Sequence, residues 1–179
     1  AIRQVSLEQG KENCLFIHVT LVPYLKSSGE HKSKPTQHSV KELRTMGISP
    51  DIIVMRSDEP IDESIREKIS LFCNVKPDCV IENMTIPVLY EAPLMLEKAK
   101  FSWIVCRELG LDAGPCEMTE WQTMVDRIKA RKECVKIAIV GKYVKLHDAY
   151  LSVAEALKHG GYENSCHCVV LRSRLYRRL

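Results

Sequence analysis

The run Lys32-Ser33-Lys34-Pro35-Thr36-Gln37 sets two lysines one residue apart, after a glycine-containing loop and before a Pro-Thr-Gln step that predicts a helix start. A lysine ammonium is a compact charge with three donors, so a pair in one loop suits a polyphosphate. A helix start adds unpaired backbone N–H groups and the positive end of a dipole at the same place. By spacing alone, the pair fits solvated surface lysines as readily as an anion site. Gln37 carries donor and acceptor on one amide and suits the edge of a base or ribose, or simply the first turn of a helix. Lys68 falls on a later amphipathic segment and by itself fits a solvated helix face.

The elements that must position this loop follow from hydrophobic pattern. Residues 13–20 (NCLFIHVT) predict a buried strand, and 21–35 a loop marked by two prolines, Ser27, Ser28 and Gly29. Val40, Leu43 and Met46 lie at helical spacing in 36–46, with Gly47 as the stop. Residues 51–55 (DIIVM) predict a second strand. A helix follows from 62 to 72, with Asp62 as its N-cap and Ile65, Ile69 and Phe72 on one face. Residues 79–81 predict a third strand, and 92–99 and 99–109 two helices. This alternation argues for an α/β fold with a parallel sheet. A helix over 119–131, with Thr119 and Gln122 as a capping box, leads to a strand over 135–140 and a helix over 148–158 that closes on Gly160-Gly161. That is the opening of a second α/β unit, with the boundary near 115–134.

Composition narrows the function classes. The chain has 179 residues, 45% of them hydrophobic, which is enough for a core. A net charge of +3 is too small to argue for nucleic acid. No apolar run is long enough to span a membrane, and no signal peptide is legible. The eight cysteines are scattered through apolar runs, as reduced core cysteines of a cytoplasmic protein are. Cys166-His167-Cys168 lacks a second pair at zinc spacing, so no metal site is expected. Arg172, Arg174, Arg177 and Arg178 with Tyr176 form a weak basic patch, and nucleic-acid binding is not expected from it. Gly141-Lys142 lacks the earlier glycine and the following Ser or Thr of a phosphate loop.

The phrases from Val22-Pro23-Tyr24 through Ser28-Gly29-Glu30 and Lys32 to Leu43 closely resemble the synthetase domain of the CTP synthase family. Ala1 to Gln4, Asn13 to Pro23, Ser49 to Ile52, Arg56-Ser57, Lys68 to Val75 and Ile139 to Gly161 continue the resemblance in order, over residues 1 to 162. It implies a parallel-sheet, P-loop-NTPase-like amidoligase domain, present in part over 1–115. A helix and linker would fill 116–134. The first strand and helix of a class I glutamine amidotransferase domain would follow over 135–162, and 163–179 would be an atypical tail, of the kind an out-of-frame translation leaves.

The resemblance also implies an activity. Family members make CTP from UTP with ATP, Mg2+ and glutamine-derived ammonia, through a phosphorylated UTP, and form homotetramers. Lys32, Ser33, Lys34, Pro35, Thr36, Gln37 and Lys68 would bind UTP or the inhibitor CTP. Met84, Thr85 and Ile86 would contact ATP, partly through backbone, although members often carry a Lys-Asp pair there. The family's ATP phosphate loop, its magnesium ligands and its Cys-His-Glu triad have no counterpart in these residues. No catalytic residue is therefore assigned, and the chain alone is expected to be inactive. The competing expectation is a non-catalytic nucleotide-binding or oligomer-assembly module.

Overall fold

A computed structural model describes residues 1–144 and 146–174, which divide into two compact units, 1–118 and 119–179. The first is an α/β unit built on a three-stranded parallel sheet. Its strands are β1 (Ile17–Leu21), β4 (Ile52–Ser57) and β5 (Val80–Met84), in the order β1-β4-β5. Between β1 and β4 lie a small antiparallel hairpin, β2 (Tyr24–Leu25) and β3 (Glu30–His31), and helix α2 (Lys34–Thr45). Helix α3 (Glu63–Cys73) joins β4 to β5. Helix α1 (Ile2–Gln9) precedes the sheet, and α4 (Ala92–Lys98) and α5 (Phe101–Glu108) follow it.

β4 is central because its sequence is apolar on both faces. Ile52, Ile53, Val54 and Met55 are all buried, as a strand covered on both sides of a parallel sheet requires. Val40, Ile69, Cys73, Val80, Ile81 and Ile104 join the same core. Burial of each large aliphatic side chain there contributes about 1.5–3 kcal/mol. The expectation that the first strand is buried is corrected. β1 is an edge strand, and its alternate residues Ile17, Val19 and Leu21 are exposed while Thr20 is buried.

Both crossover helices end in the same device. Ile48 N–H reaches Leu43 C=O at 3.3 Å and Gly47 N–H reaches Arg44 C=O at 2.9 Å, a Schellman closure that needs the left-handed φ of 81° at Gly47. At the end of α3 the pattern repeats with Asn74 in the left-handed position, Val75 N–H bonding Ser70 C=O at 3.1 Å. Asp62 is the N-cap of α3 by position, yet its side chain makes no capping bond. An ion network then fastens α5 to the turn before β5. Arg107 bonds Asp78 and Glu108, Lys76 bonds Glu108 at 2.8 Å, and the Arg107 guanidinium lies 4.9 Å over Trp103.

The second unit contains α6 (Thr119–Lys129), β6 (Glu133–Gly141), α7 (Leu151–Glu163) and β7 (Cys166–Arg174). β6 and β7 pair in parallel, from Glu133 opposite Cys166 to Gly141 opposite Arg174. Residues 166–174 form a regular strand that carries the β-branched pair Val169-Val170; residues 175–179, with Tyr176, Arg177 and Arg178, lie outside the described residues. Thr119 is the first residue of α6, and the Gln122 amide donates forward to Asp126 at 2.8 Å. One expectation is corrected here, the helix end at Gly160-Gly161. Helix α7 runs through Gly160-Gly161 to Glu163. A Cβ at Gly161 would come within 2.7 Å of the Cys166 carbonyl, so this glycine lets α7 close on β7.

Two measurements follow from this packing. Gly160, where an added Cβ meets nothing within 4 Å, should stabilise the chain by about 1 kcal/mol when changed to Ala, through helix propensity. Gly161→Ala should destabilise it by roughly 1–3 kcal/mol through overpacking. Denaturant unfolding followed by circular dichroism reads both signs. The network makes the acid limb of stability specific. Arg107 first, by its hydrogen bond, holds Asp78 below the usual carboxylate range, and Lys76 and then Arg107 do so for Glu108. Their contribution is present above the unfolded carboxylate range and is lost as pH falls through the lowered folded values. Arg107→Met should flatten that loss in melts taken between pH 6 and 2.

Candidate functional site

The Lys32 loop hangs from the hairpin. Tyr24 pairs with His31 and Leu25 with Glu30, Gly29 N–H closes on Leu25 C=O at 2.8 Å, and Lys32 N–H bonds Pro23 C=O at 3.0 Å. Ser33 is the N-cap of α2, and Lys34 is its first residue with Pro35 beside it, as the fixed φ of proline allows in a first turn. Lys34 and Pro35 are exposed, while Ser33 is buried and Gln37 half-buried. The Gln37 amide donates to the Ser33 hydroxyl at 3.1 Å, so the two tie the first turn together. Thr36 is fully buried. Its hydroxyl accepts from Thr20 at 3.2 Å and lies 3.3 Å from the Leu21 carbonyl, latching the start of α2 to the end of β1. Thr36, although among the expected pyrimidine residues, therefore presents nothing at the surface.

Charge gathers around this turn. Lys32 bonds Glu30, two residues back, and both are substantially exposed. The Lys32 hydrogen bond, followed by its charge and a Ser28 hydroxyl, holds the Glu30 carboxyl below the usual carboxylate range. Lys68 on α3 adds, as the smallest of the causes, to the same lowering. Helices α2 and α3 pack on each other. Lys32 and Lys68, from two distant segments, thus act on one carboxylate, with Lys34 two residues along the loop.

Met84-Thr85-Ile86 leaves the carboxyl end of β5. Arg56 organises it: one guanidinium nitrogen bonds Asn83 Oδ1 at 2.7 Å and the Asn83 and Met84 carbonyls at 3.2 Å each, and the other reaches Thr85 Oγ1 at 3.3 Å. Thr85 N–H donates to Ser57 C=O at 2.8 Å, and its hydroxyl to Asp58 at 2.7 Å. The Thr85 amide and the Met84 carbonyl are therefore committed to protein partners. Met84 also lines a cleft of about 600 Å³ together with Arg66, Met95, Lys100 and Trp103. The sequence reading missed Arg56, Ser57 and Asp58 as the organisers of this edge. A signal was present, because polar residues directly after a fully apolar strand stand at the carboxyl edge of a parallel sheet, where ligands of open α/β folds bind.

Burial pushes the Cys79 thiol up to about 11 and also raises Cys73, and a thiol needs a lowered value to react. Among the described residues no three His, Cys, Asp or Glu side chains converge as a metal site.

The family model described as CTP synthase N-terminus matches residues 1–111, which takes in the lysine loop, Lys68 and the Thr85 segment. The chain belongs to the CTP synthase family. It is 59% identical over 164 residues to the CTP synthase of Clostridium kluyveri, covering 92% of this chain and 30% of that protein. The CTP synthases of Ruminiclostridium cellulolyticum and Listeria innocua are 58% and 53% identical over the same length, covering 92% of this chain and 31% of each relative. The chain thus spans about three tenths of the length of these curated relatives. The stretch that matches the CTP synthase model ends seven residues before the first compact unit does, at 111 against 118.

The Lys32–Glu30 pair gives this CTP synthase family loop a measurable property. An anion drawn to Lys32 would have to displace Glu30 from it. Removal of that carboxylate by Glu30→Gln should tighten binding of inorganic triphosphate about 2- to 5-fold in calorimetric titration, the scale of an exposed ion pair.

Proposed function

We propose that this chain carries the pyrimidine-triphosphate side of a CTP synthase amidoligase domain, and that residues from 135 onward open its glutamine amidotransferase domain. The reaction served is amination of UTP to CTP, with ATP phosphorylating the 4-oxygen and ammonia displacing that phosphate. The observation that carries the reading is geometric: Lys32 is paired with Glu30, Lys34 is exposed at the first position of α2, and α3, which bears Lys68, packs on α2. Two basic segments brought to one side of a parallel sheet suit three linked phosphates better than a single ion.

In this reading each residue has a limited task. Lys32, Lys34 and Lys68 neutralise phosphate oxygens of UTP, or of CTP as an inhibitor. Ser33 and Gln37 hold the first turn, and the Gln37 amide would leave Ser33 to reach a base or ribose edge. Thr36 fixes the helix start from beneath. Met84, Thr85 and Ile86 form one wall for ATP, positioned by Arg56 and Ser57. ATP supplies the transferable phosphoryl group, whose movement depends on charge neutralisation. No magnesium ligand is assigned among these residues, so no step here is routed through that ion. We place the protein in the cytoplasm and, assembled with the rest of its domain, in a homotetramer. No helix among the described residues is long and apolar enough to cross a membrane.

A second reading, a non-catalytic assembly module, draws on the exposed apolar row Ile17, Val19 and Leu21 along the β1 edge. The purified chain separates the two. The proposed reading expects UTP binding that weakens with salt, and a further loss of about 3- to 10-fold in Lys34→Ala and in Lys68→Ala, roughly 0.6–1.4 kcal/mol each. The assembly reading expects self-association with no triphosphate affinity. Incubation with UTP, ATP, magnesium and ammonia should give no CTP above a protein-free control. Ammonia bypasses glutamine hydrolysis, so turnover would mean that residues here assigned to scaffold build the ATP site.

A further inference from the structure

His31 is buried at the base of the lysine loop, 5% exposed, and has no part in the chemistry proposed above. Its ring lies 4.9 Å from that of Tyr24, its hairpin partner. Nε2 shares a hydrogen bond of 3.1 Å with the hydroxyl of Ser57, while Nδ1 is buried without a partner. A buried ring nitrogen left unpaired is uncommon and asks for a reason, since packing alone would favour an apolar side chain here. Ser57, the last residue of β4, is 2% exposed. Its hydroxyl also receives Glu59 N–H at 3.3 Å, and its carbonyl receives Thr85 N–H at 2.8 Å.

We propose that His31 is a positioning residue that couples the two nucleotide segments: through Ser57 it fixes the triphosphate loop to the Thr85 segment, so that occupancy of one is felt at the other. The inference rests on the proposed reading of those segments as UTP and ATP sides of one site. The path is short and continuous. It runs from Lys32 to its neighbour His31, across Nε2 to Ser57, and through the Ser57 carbonyl to the Thr85 amide. No other described hydrogen bond joins the hairpin to the end of β4 through side chains. The bond forms in either neutral tautomer, because a serine hydroxyl both donates and accepts. Coupling of this kind is reciprocal, so UTP should tighten the Thr85 segment as much as ATP tightens the loop.

Amide hydrogen exchange on the isotope-labelled chain tests the link directly. The Lys32 and Thr85 amides report the two segments, and Val54 within β4 reports the fold. In His31→Leu, exchange at Lys32 and Thr85 should rise together, by about tenfold, with Val54 unchanged. His31→Gln places an amide where Nε2 stood and should restore both. His31→Asn, whose amide falls where Nδ1 stood, should restore neither. Ser57→Ala should reproduce the Leu pattern from the other end. A rise at Lys32 alone, a uniform rise including Val54, or equal behaviour of the Gln and Asn variants would overturn the coupling. Addition of UTP to the unsubstituted chain should protect both amides, and in His31→Leu only Lys32. Absence of UTP binding in the unsubstituted chain would defeat the triphosphate reading, while the exchange pattern without nucleotide would still decide the role of His31.

Discussion

Ser57 closes the most buried strand of the first unit, and both candidate nucleotide segments are hydrogen-bonded to it. Its hydroxyl meets His31 of the hairpin and its carbonyl meets the Thr85 amide. Arg56, one residue earlier, holds Asn83, Met84 and Thr85. Ile52 to Met55 are fully or almost fully buried, so the end of β4 cannot shift without disturbing the core. Interiors at native density transmit such a constraint rather than absorb it. The flexible, charged lysines are thereby mounted on a fixed edge, which reduces what an anion must order when it binds.

The charge arrangement shows the same economy. Lys32 is occupied by Glu30, and the Glu30 carboxylate sits in the fields of Lys32 and Lys68. A lone cluster of lysines would repel itself. One carboxylate among them lowers that repulsion and leaves a site that a more highly charged anion can take over. The exposed apolar row on β1 belongs to a different logic. It marks a sheet edge and face that these residues leave uncovered, and nothing in the charge pattern extends to it.

Much of this was legible in the amino-acid sequence, for identifiable reasons. The runs DIIVM and CVI read as strands because β-branched residues cluster between turn signals, and Gly47 read as a helix stop because a Schellman closure needs left-handed backbone there. Asn74 performs the same closure unannounced, since asparagine is also common elsewhere in loops. The failures have physical causes as well. Apolar residues 13–20 suggested burial, but a strand at a sheet edge keeps one face open. Gly160-Gly161 suggested a helix end, but one of the two glycines serves close packing against β7. Within 166–174 the sequence marked only Val169-Val170-Leu171 as a possible strand, because a parallel strand pairs with a partner some thirty residues away and no local pattern shows that pairing. At the site, the lysines were visible as residue types in a loop. The roles of Arg56, Ser57 and His31 depend on which strand ends meet, and only the sheet order β1-β4-β5 reveals that.

The central claim is that Lys32, Lys34 and Lys68 accept one triphosphate. Side-chain NMR of lysine ammonium groups in the purified chain, titrated with UTP, tests it most directly. The account predicts that all three resonances move along a single binding curve and that those of Lys98 and Lys129 stay in place. A Lys68 resonance that stays still while the Lys32 and Lys34 resonances move, or three curves with different midpoints, would contradict it.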